Sequence, residues 1–167
     1  WTALSRRART VVYSPERVTA DQVPAGYEAL ADPRWKGKLC LRPATSPYTQ
    51  SLVASMIANQ GEARAEEVVR GWMANEPTFI DSDTKILEAI DAGQCDVGIT
   101  NTYYLARLLE TDPDAGVRIA WPPLVHVNVS GAGVTTHAPN PDKARVLLEW
   151  LAGPGEACPA PLRALPA

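Results

Sequence analysis

The stretch Cys95-Asp-Val-Gly-Ile-Thr-Asn-Thr-Tyr-Tyr-Leu-Ala-Arg-Leu-Leu109 constrains this chain more than any other. Val97, Gly98, Ile99 and Thr100 read as a short buried strand, and Leu105, Leu108 and Leu109 recur at helical spacing directly after it. Asn101 and Thr102 are suited to cap the first turn of that helix. Tyr103 and Tyr104 therefore sit where a strand ends and a helix begins, the edge at which open α/β sheets bind ligands. Two adjacent phenols there offer two oxygens to one ligand. A phenol in water ionises near pH ~10 and is a neutral hydrogen-bonding group at neutral pH. A hard, highly charged cation reverses that preference, because metal ligands must be deprotonated and the ion's charge lowers their pKa. Oxygen ligands suit hard ions, and ferric iron is the obvious one that takes phenolate. The competing reading packs one tyrosine in the core and leaves the other as a helix cap or surface residue.

The remaining elements alternate in the same way. Thr10–Tyr13 is a β-rich run preceded by Arg6, Arg7 and Arg9. Pro24 to Asp32 contains a short helix, and Asp32-Pro-Arg-Trp-Lys-Gly37 is a turn. Lys38–Arg42 is a strand ended by Pro43, followed by a loop of small residues and a helix opened by Tyr48, with Leu52, Val53, Met56 and Ile57 on one stripe. Gly61 closes it, and a second helix spans Glu62 to Ala74. Pro77–Ile80 is a strand, and Asp81, Ser82 or Asp83 caps a helix carrying Ile86, Leu87 and Ile90, with Gly93 just past its end. Val117–Trp121 and Val125–Val129 are further strands, and Pro141 opens a helix with Val146, Leu147, Trp150 and Leu151. Strands alternating with helices predict an α/β fold with a mostly parallel sheet flanked by helices. The loops at 43–48, 80–84 and 101–104 are all strand-to-helix junctions, so a parallel sheet brings them to one edge. Tyr48 is then expected in the same cleft as Tyr103 and Tyr104; its alternative role is to cover its own helix start.

Composition removes several classes of function. A length of 167 residues suffices for one domain with a sizeable core. A net charge of -3 leaves no basic footprint for nucleic acid. No apolar run approaches the ~20 residues that cross a membrane. The first residues lack an apolar signal-peptide core and the chain does not open with Met, so it reads as a fragment whose parent's compartment is not indicated. With His126 and His137 as its histidines, a Ser-His-Asp set is not expected. Cys40, Cys95 and Cys158 are too spread for a zinc site.

Four blocks together resemble a known family: Leu30-Ala-Asp-Pro-Arg-Trp-Lys-Gly-Lys38; Cys40-Leu-Arg42 with Tyr48-Thr-Gln-Ser-Leu-Val-Ala-Ser55; Asp83-Thr-Lys-Ile-Leu-Glu-Ala-Ile90; and Cys95 through Tyr104. In order and content they are similar to the periplasmic ferric-ion-binding proteins of bacterial ABC importers, two-lobed type II binding proteins, over about residues 1 to 153. The resemblance implies that Tyr103 and Tyr104 bind Fe3+ and that Tyr48 matches a further tyrosine of a subgroup that binds no phosphate. It puts Thr45, Ser46, Asp83, Asn101 and Arg7 at anion-binding positions or around the ligands, with carbonate as a candidate synergistic anion. Pro47, which has no N–H to offer an anion, and the acidic Asp83 depart from the phosphate-dependent pattern. The implied protein is a periplasmic binding module, not an enzyme, whose partner is an inner-membrane permease. Rival readings are a binding protein for an organic anion or polyamine, and a transferase domain of the same fold. A ferric-phenolate colour separates iron binding from both.

The same resemblance divides the chain. Residues 1–9 would be an interlobe crossing, 10–127 the tyrosine-bearing second lobe, 128–153 a partial return to a first lobe absent here, and 154–167 an irregular tail. The amphipathic helix from Pro141 to Ala152 would lose its partner sheet with that lobe. Exposed large apolar side chains are unfavourable, so the segment after Val129 is expected to be disordered or to pack on a second copy as a homodimer. Cys40 and Cys95 lie at or near the starts of core strands. Neighbouring strands are ~4.8 Å apart and disulfides join Cα atoms ~4.4–6.8 Å apart. If these strands are neighbours the pair can bridge in an oxidising compartment; the alternative is two buried thiols, and Cys158 is then the odd cysteine in the tail.

Overall fold

One long strand organises the molecule. β1 (Thr2–Tyr13) buries every residue from Arg9 to Val12, and successive side chains there point to opposite faces of a sheet. The computed structural model describes residues 1–153, so the expected tail and Cys158 lie outside the described residues. The other elements are β2 (Leu39–Leu41), α1 (Pro47–Gln60), α2 (Glu62–Ala74), β3 (Thr78–Phe79), α3 (Asp83–Asp91), β4 (Val97–Asn101), α4 (Thr102–Thr111), β5 (Arg118–Ala120), β6 (His126–Ala132) and α5 (Pro141–Ala152). Between β1 and β2 stand two 3-10 turns, Glu28–Ala31 and Pro33–Trp35, where a short helix was expected over Pro24 to Asp32. Pro33 and the Asp32 side chain, which accepts from Arg34 N–H, separate the first, inside Pro24–Asp32, from the second, inside the expected Asp32–Gly37 turn.

The sheet order is β3-β2-β4-β1-β5, with β6 pairing the outer part of β1. β2 runs parallel to β3 and β4, whereas β1 is antiparallel to β4, β5 and β6. The predicted mostly parallel sheet therefore holds in strand direction, with β1 alone running against the rest. α1, α2 and the two 3-10 turns cover one face, where Val11, Leu39, Val97 and Ile99 meet Leu52, Met56, Val68 and Trp72. α3 and α4 cover the other, where Val12 and Cys40 meet Ile86, Leu87, Ile90 and Leu105. Gly98 allows α3 this close, since a Cβ there would lie 2.9 Å from Ile86 Cγ2 and 3.0 Å from the Cys40 carbonyl oxygen. Cys40 and Cys95 are joined by a disulfide that ties β2 to the entry of β4, with Cα atoms 5.9 Å apart.

β1 does not stop at the expected lobe boundary. It is one continuous strand through Arg9, and its first half pairs with β6 from Thr2↔Ala132 to Arg9↔His126. Its second half pairs with β5 from Val11↔Ala120 to Tyr13↔Arg118. The partner strand thus changes at Arg9 and Thr10. This ordered ribbon departs from the expectation that the chain after Val129 is disordered. The physical reason is that β1 begins at Thr2 and offers β6 a complete edge within the same chain. α5 follows it and lies beside Trp1 and Thr2. Its apolar side chains stay exposed, Val146, Leu147, Trp150 and Leu151 among them. No helix among the described residues is long and apolar enough to cross a membrane.

Candidate metal site

Because β2, β3 and β4 run the same way, the loops that follow them open on one edge of the sheet. Pro47 starts α1, where its missing N–H costs nothing, and this sets Tyr48 in the first turn. α4 starts at Thr102, so Tyr103 and Tyr104 occupy its first turn. Their rings lie 4.1 Å apart between centroids with planes tilted by 31°. Tyr104 packs partly against the α3–α4 core, and the Arg107 guanidinium lies 5.4 Å from the centre of the Tyr103 ring. Burial pushes the Tyr103 phenol well above the ordinary tyrosine range, and the neighbouring hydroxyls of Tyr104 and Tyr48 push it the same way. The three phenols converge, and without a cation Tyr103 is a firmly neutral group. Among the described residues no cluster of three His, Cys, Asp or Glu side chains could hold a metal ion. The oxygen donors brought together here are phenols.

The flanking residues behave less uniformly than the sequence suggested. Arg7 donates to the Tyr48 hydroxyl at 3.4 Å and to Ser130 Oγ at 2.8 Å, tying the third phenol to the β1–β6 ribbon. Thr45 is exposed, whereas Ser46 is buried with its hydroxyl unpaired. Asn101 stands at the cap position of α4, yet its side chain makes no cap bond and both its amide atoms are buried without a partner. Its backbone N–H instead donates to Asp83 Oδ2 at 2.9 Å. Ser82, one of the three residues expected to cap α3, is the one that does so, accepting from Lys85 N–H.

Asp83 needs the largest revision. As an isolated acid it would repel an anion, but here its carboxylate is fully buried between two guanidiniums. Arg9 Nη1 reaches Oδ2 at 3.1 Å and Arg42 Nη1 reaches Oδ1 at 3.3 Å. Burial lowers the Arg9 pKa, and the Asp83 charge opposes that shift. Arg9 also lies over the Tyr48 ring, 5.6 Å from its centre. Neither Arg9 nor Arg42 stood out as a site residue in the sequence. The available signal was a charged residue inside the run Ala8-Arg9-Thr10-Val11-Val12, because a charge in a buried strand needs a buried partner.

Tyr27 was missed as well. Its hydroxyl donates to the Arg9 carbonyl at 2.5 Å and accepts the His126 N–H at 3.1 Å, so it is inserted in the ladder at the pair where β6 leaves β1. His126 Nε2 meets Ser51 Oγ at 3.1 Å, and Ser51 also donates to Asn128 Oδ1 at 3.0 Å, which binds α1 to β6 just behind Tyr48.

A sheet with its ligand loops on one edge, entered by a strand ribbon, is the design of the periplasmic solute-binding proteins. The chain belongs to the bacterial extracellular solute-binding proteins, a family that residues 1–155 match. It is 41% identical over 167 residues to Iron uptake protein A2 of Synechocystis, a match covering 91% of this chain and 47% of that protein. The apo FutA2 structure from Synechocystis superposes with a TM-score of 0.85 at 40% identity, covering 94% of this chain and 54% of that one. The Trichodesmium FutA structure, in complex with iron and citrate ligands, does so with a TM-score of 0.85 at 36% identity, covering 94% and 53%. The chain spans about half the length of the curated relatives it matches.

Proposed function

We propose that this chain is the tyrosine-bearing half of the periplasmic Fe3+-binding component of an ABC iron importer, with Fe3+ as its cargo and no catalytic activity. The observation that carries this reading is the set of three phenols, Tyr48, Tyr103 and Tyr104, that meet on the ligand edge of the sheet. Three phenolates supply hard oxygen donors whose negative charge balances a trivalent ion. The relatives named as iron uptake proteins support the same cargo. Residues 10–127 form the lobe that holds the tyrosines, and 1–9 and 128–153 lead toward the remainder of the protein. That remainder supplies a further ligand, and water or a small oxyanion such as carbonate takes the positions left on the ion. Arg7 is the cation poised to meet such an anion, since among the described residues it has no carboxylate partner. An inner-membrane permease receives the loaded protein.

Visible absorbance tests the assignment. Titration with ferric citrate gives a phenolate-to-iron charge-transfer band in the wild type. Tyr104→Phe removes one donor and keeps the ring, so the band weakens strongly; an unchanged titration overturns the ligand assignment. Each phenol must lose its proton to bind, so affinity falls by about tenfold per pH unit of acidification for each phenol that ionises. An affinity that is constant from neutral to mildly acid pH counts equally against it.

A further inference from the structure

Three donors from separate elements converge on one buried carboxylate. Arg9 comes from β1, Arg42 follows β2, and the Asn101 N–H lies at the N-terminus of α4, where the helix dipole favours negative charge. The carboxylate they hold is fully excluded from solvent. On the residues that hold it, the Nε atoms of Arg9 and Arg42 and both amide atoms of Asn101 are buried without partners. Two guanidiniums and a backbone N–H make a strong oxyanion site by charge-assisted hydrogen bonding. Such a site does not need its anion to be covalently attached.

We propose that Asp83 is a built-in anion: it fills, from within the chain, a carboxylate-sized site made by Arg9, Arg42 and the Asn101 N–H, and the site opens to a small dissolved carboxylate once that side chain is removed. Through Asn101 the anion fixes the start of the helix that carries Tyr103 and Tyr104. Through Arg9 it fixes the guanidinium over Tyr48. Asp83 is therefore a positioning residue. For the iron reading, on which this consequence rests, the tyrosine pair is held in place without a co-bound anion between Arg9 and Arg42.

The test is Asp83→Ala, melted without iron in chloride buffer and in formate or acetate at matched ionic strength. In chloride the variant loses about 10 °C in Tm, the effect of leaving two buried guanidiniums uncompensated. Formate returns most of that loss in a saturable titration, because it binds the folded state alone. The wild type does not respond, and adding Arg42→Gln to the variant abolishes the recovery. A variant that melts alike in formate and chloride, or a wild type that gains as much, overturns the proposal. Should Asp83→Ala unfold in chloride, refolding reads the same thing: recovery in formate alone supports the proposal, and failure in both salts overturns it. Ferric titration of the wild type, in which Asp83 still holds the tyrosines in place, keeps the two readings apart. Formate-specific stabilisation without any iron colour leaves the built-in anion standing and removes the iron assignment; the converse removes only the anion.

Discussion

Helices α3 and α5 are both amphipathic, and the fold treats them in opposite ways. α3 buries Asp83, Ile86, Leu87, Ala89 and Ile90 against the sheet. α5 is longer and buries none of its residues. The difference does not lie in the helices, since each has leucine and branched aliphatic residues at helical spacing. It lies in what they meet. α3 faces the closed surface of β2 and β4, while α5 lies beside the open end of a two-stranded ribbon. The N-terminal segment repeats the contrast, from Trp1 just before β1, 89% exposed, to Val11 and Val12 within β1, with no exposure. An amphipathic pattern specifies a face and leaves the partner to the rest of the structure.

Truncating one leucine on each helix gives the largest expected contrast. Leu87 has no exposure and Leu147 is 56% exposed. Leu87→Ala costs about 2–5 kcal/mol, from lost transfer energy plus the cavity left behind. Leu147→Ala changes stability by less than about 0.5 kcal/mol. Urea unfolding of both variants measures the difference, and equal losses would mean that α5 is packed in solution. Next comes the Cys40–Cys95 bridge, which closes a 55-residue separation inside the packed half. Replacing both cysteines with alanine costs about 2–4 kcal/mol, an effect of loop entropy in the unfolded chain. The ribbon carries no such staple, so its amide exchange should be nearly unchanged in that variant.

The junction between the two regions gives smaller effects. Tyr27→Phe leaves the Arg9 carbonyl and the His126 N–H without the hydroxyl between them, at about 1–3 kcal/mol. Hydrogen exchange should quicken first at His126 and along β6, ahead of β4. Uniform quickening would show that ribbon and sheet open as one unit. The smallest effect is a pH dependence at the same place. Burial lowers the His126 pKa below 6.5; the Asn128 side chain opposes that shift and the Arg9 charge adds to it. The folded state thus binds this proton less tightly than the unfolded state. The stabilisation is complete above the unfolded value of 6.5 and is lost as pH falls through the folded value. His126→Gln should flatten the stability profile on the acid side of neutrality, and an unaltered profile would place the acid sensitivity elsewhere.

Much of the site was legible because its parts are local. Strand-to-helix junctions follow from periodicity, and three of them on parallel strands must share an edge. This was enough to bring Tyr48 to Tyr103 and Tyr104 across a separation of 55 residues in sequence. The cap of α3 had three candidates in the sequence, and the structure selects Ser82. The charge network was not legible. Arg9 and Asp83 are 74 residues apart, and nothing local distinguishes a guanidinium that faces solvent from one that faces a buried acid. Asn101 holds the cap position of α4 as the sequence suggested, but the structure alone shows that its side chain makes no cap bond and that its backbone N–H donates to the Asp83 carboxylate.

The sequence by itself determined the alternation of strands and helices, the edge on which the tyrosines stand and the apolar face of each helix, because these depend on spacing along the chain. Tertiary structure alone decided that β1 runs against its neighbours and continues into a ribbon with β6. It also decided that Asp83 is clasped by Arg9 and Arg42 instead of repelling an anion, and that α3 is covered while α5 is bare. Strand direction, the pairing of a buried charge and the covering of an apolar face each depend on which distant segment arrives opposite. That meeting is set by the packing of the whole chain, and no local spacing encodes it.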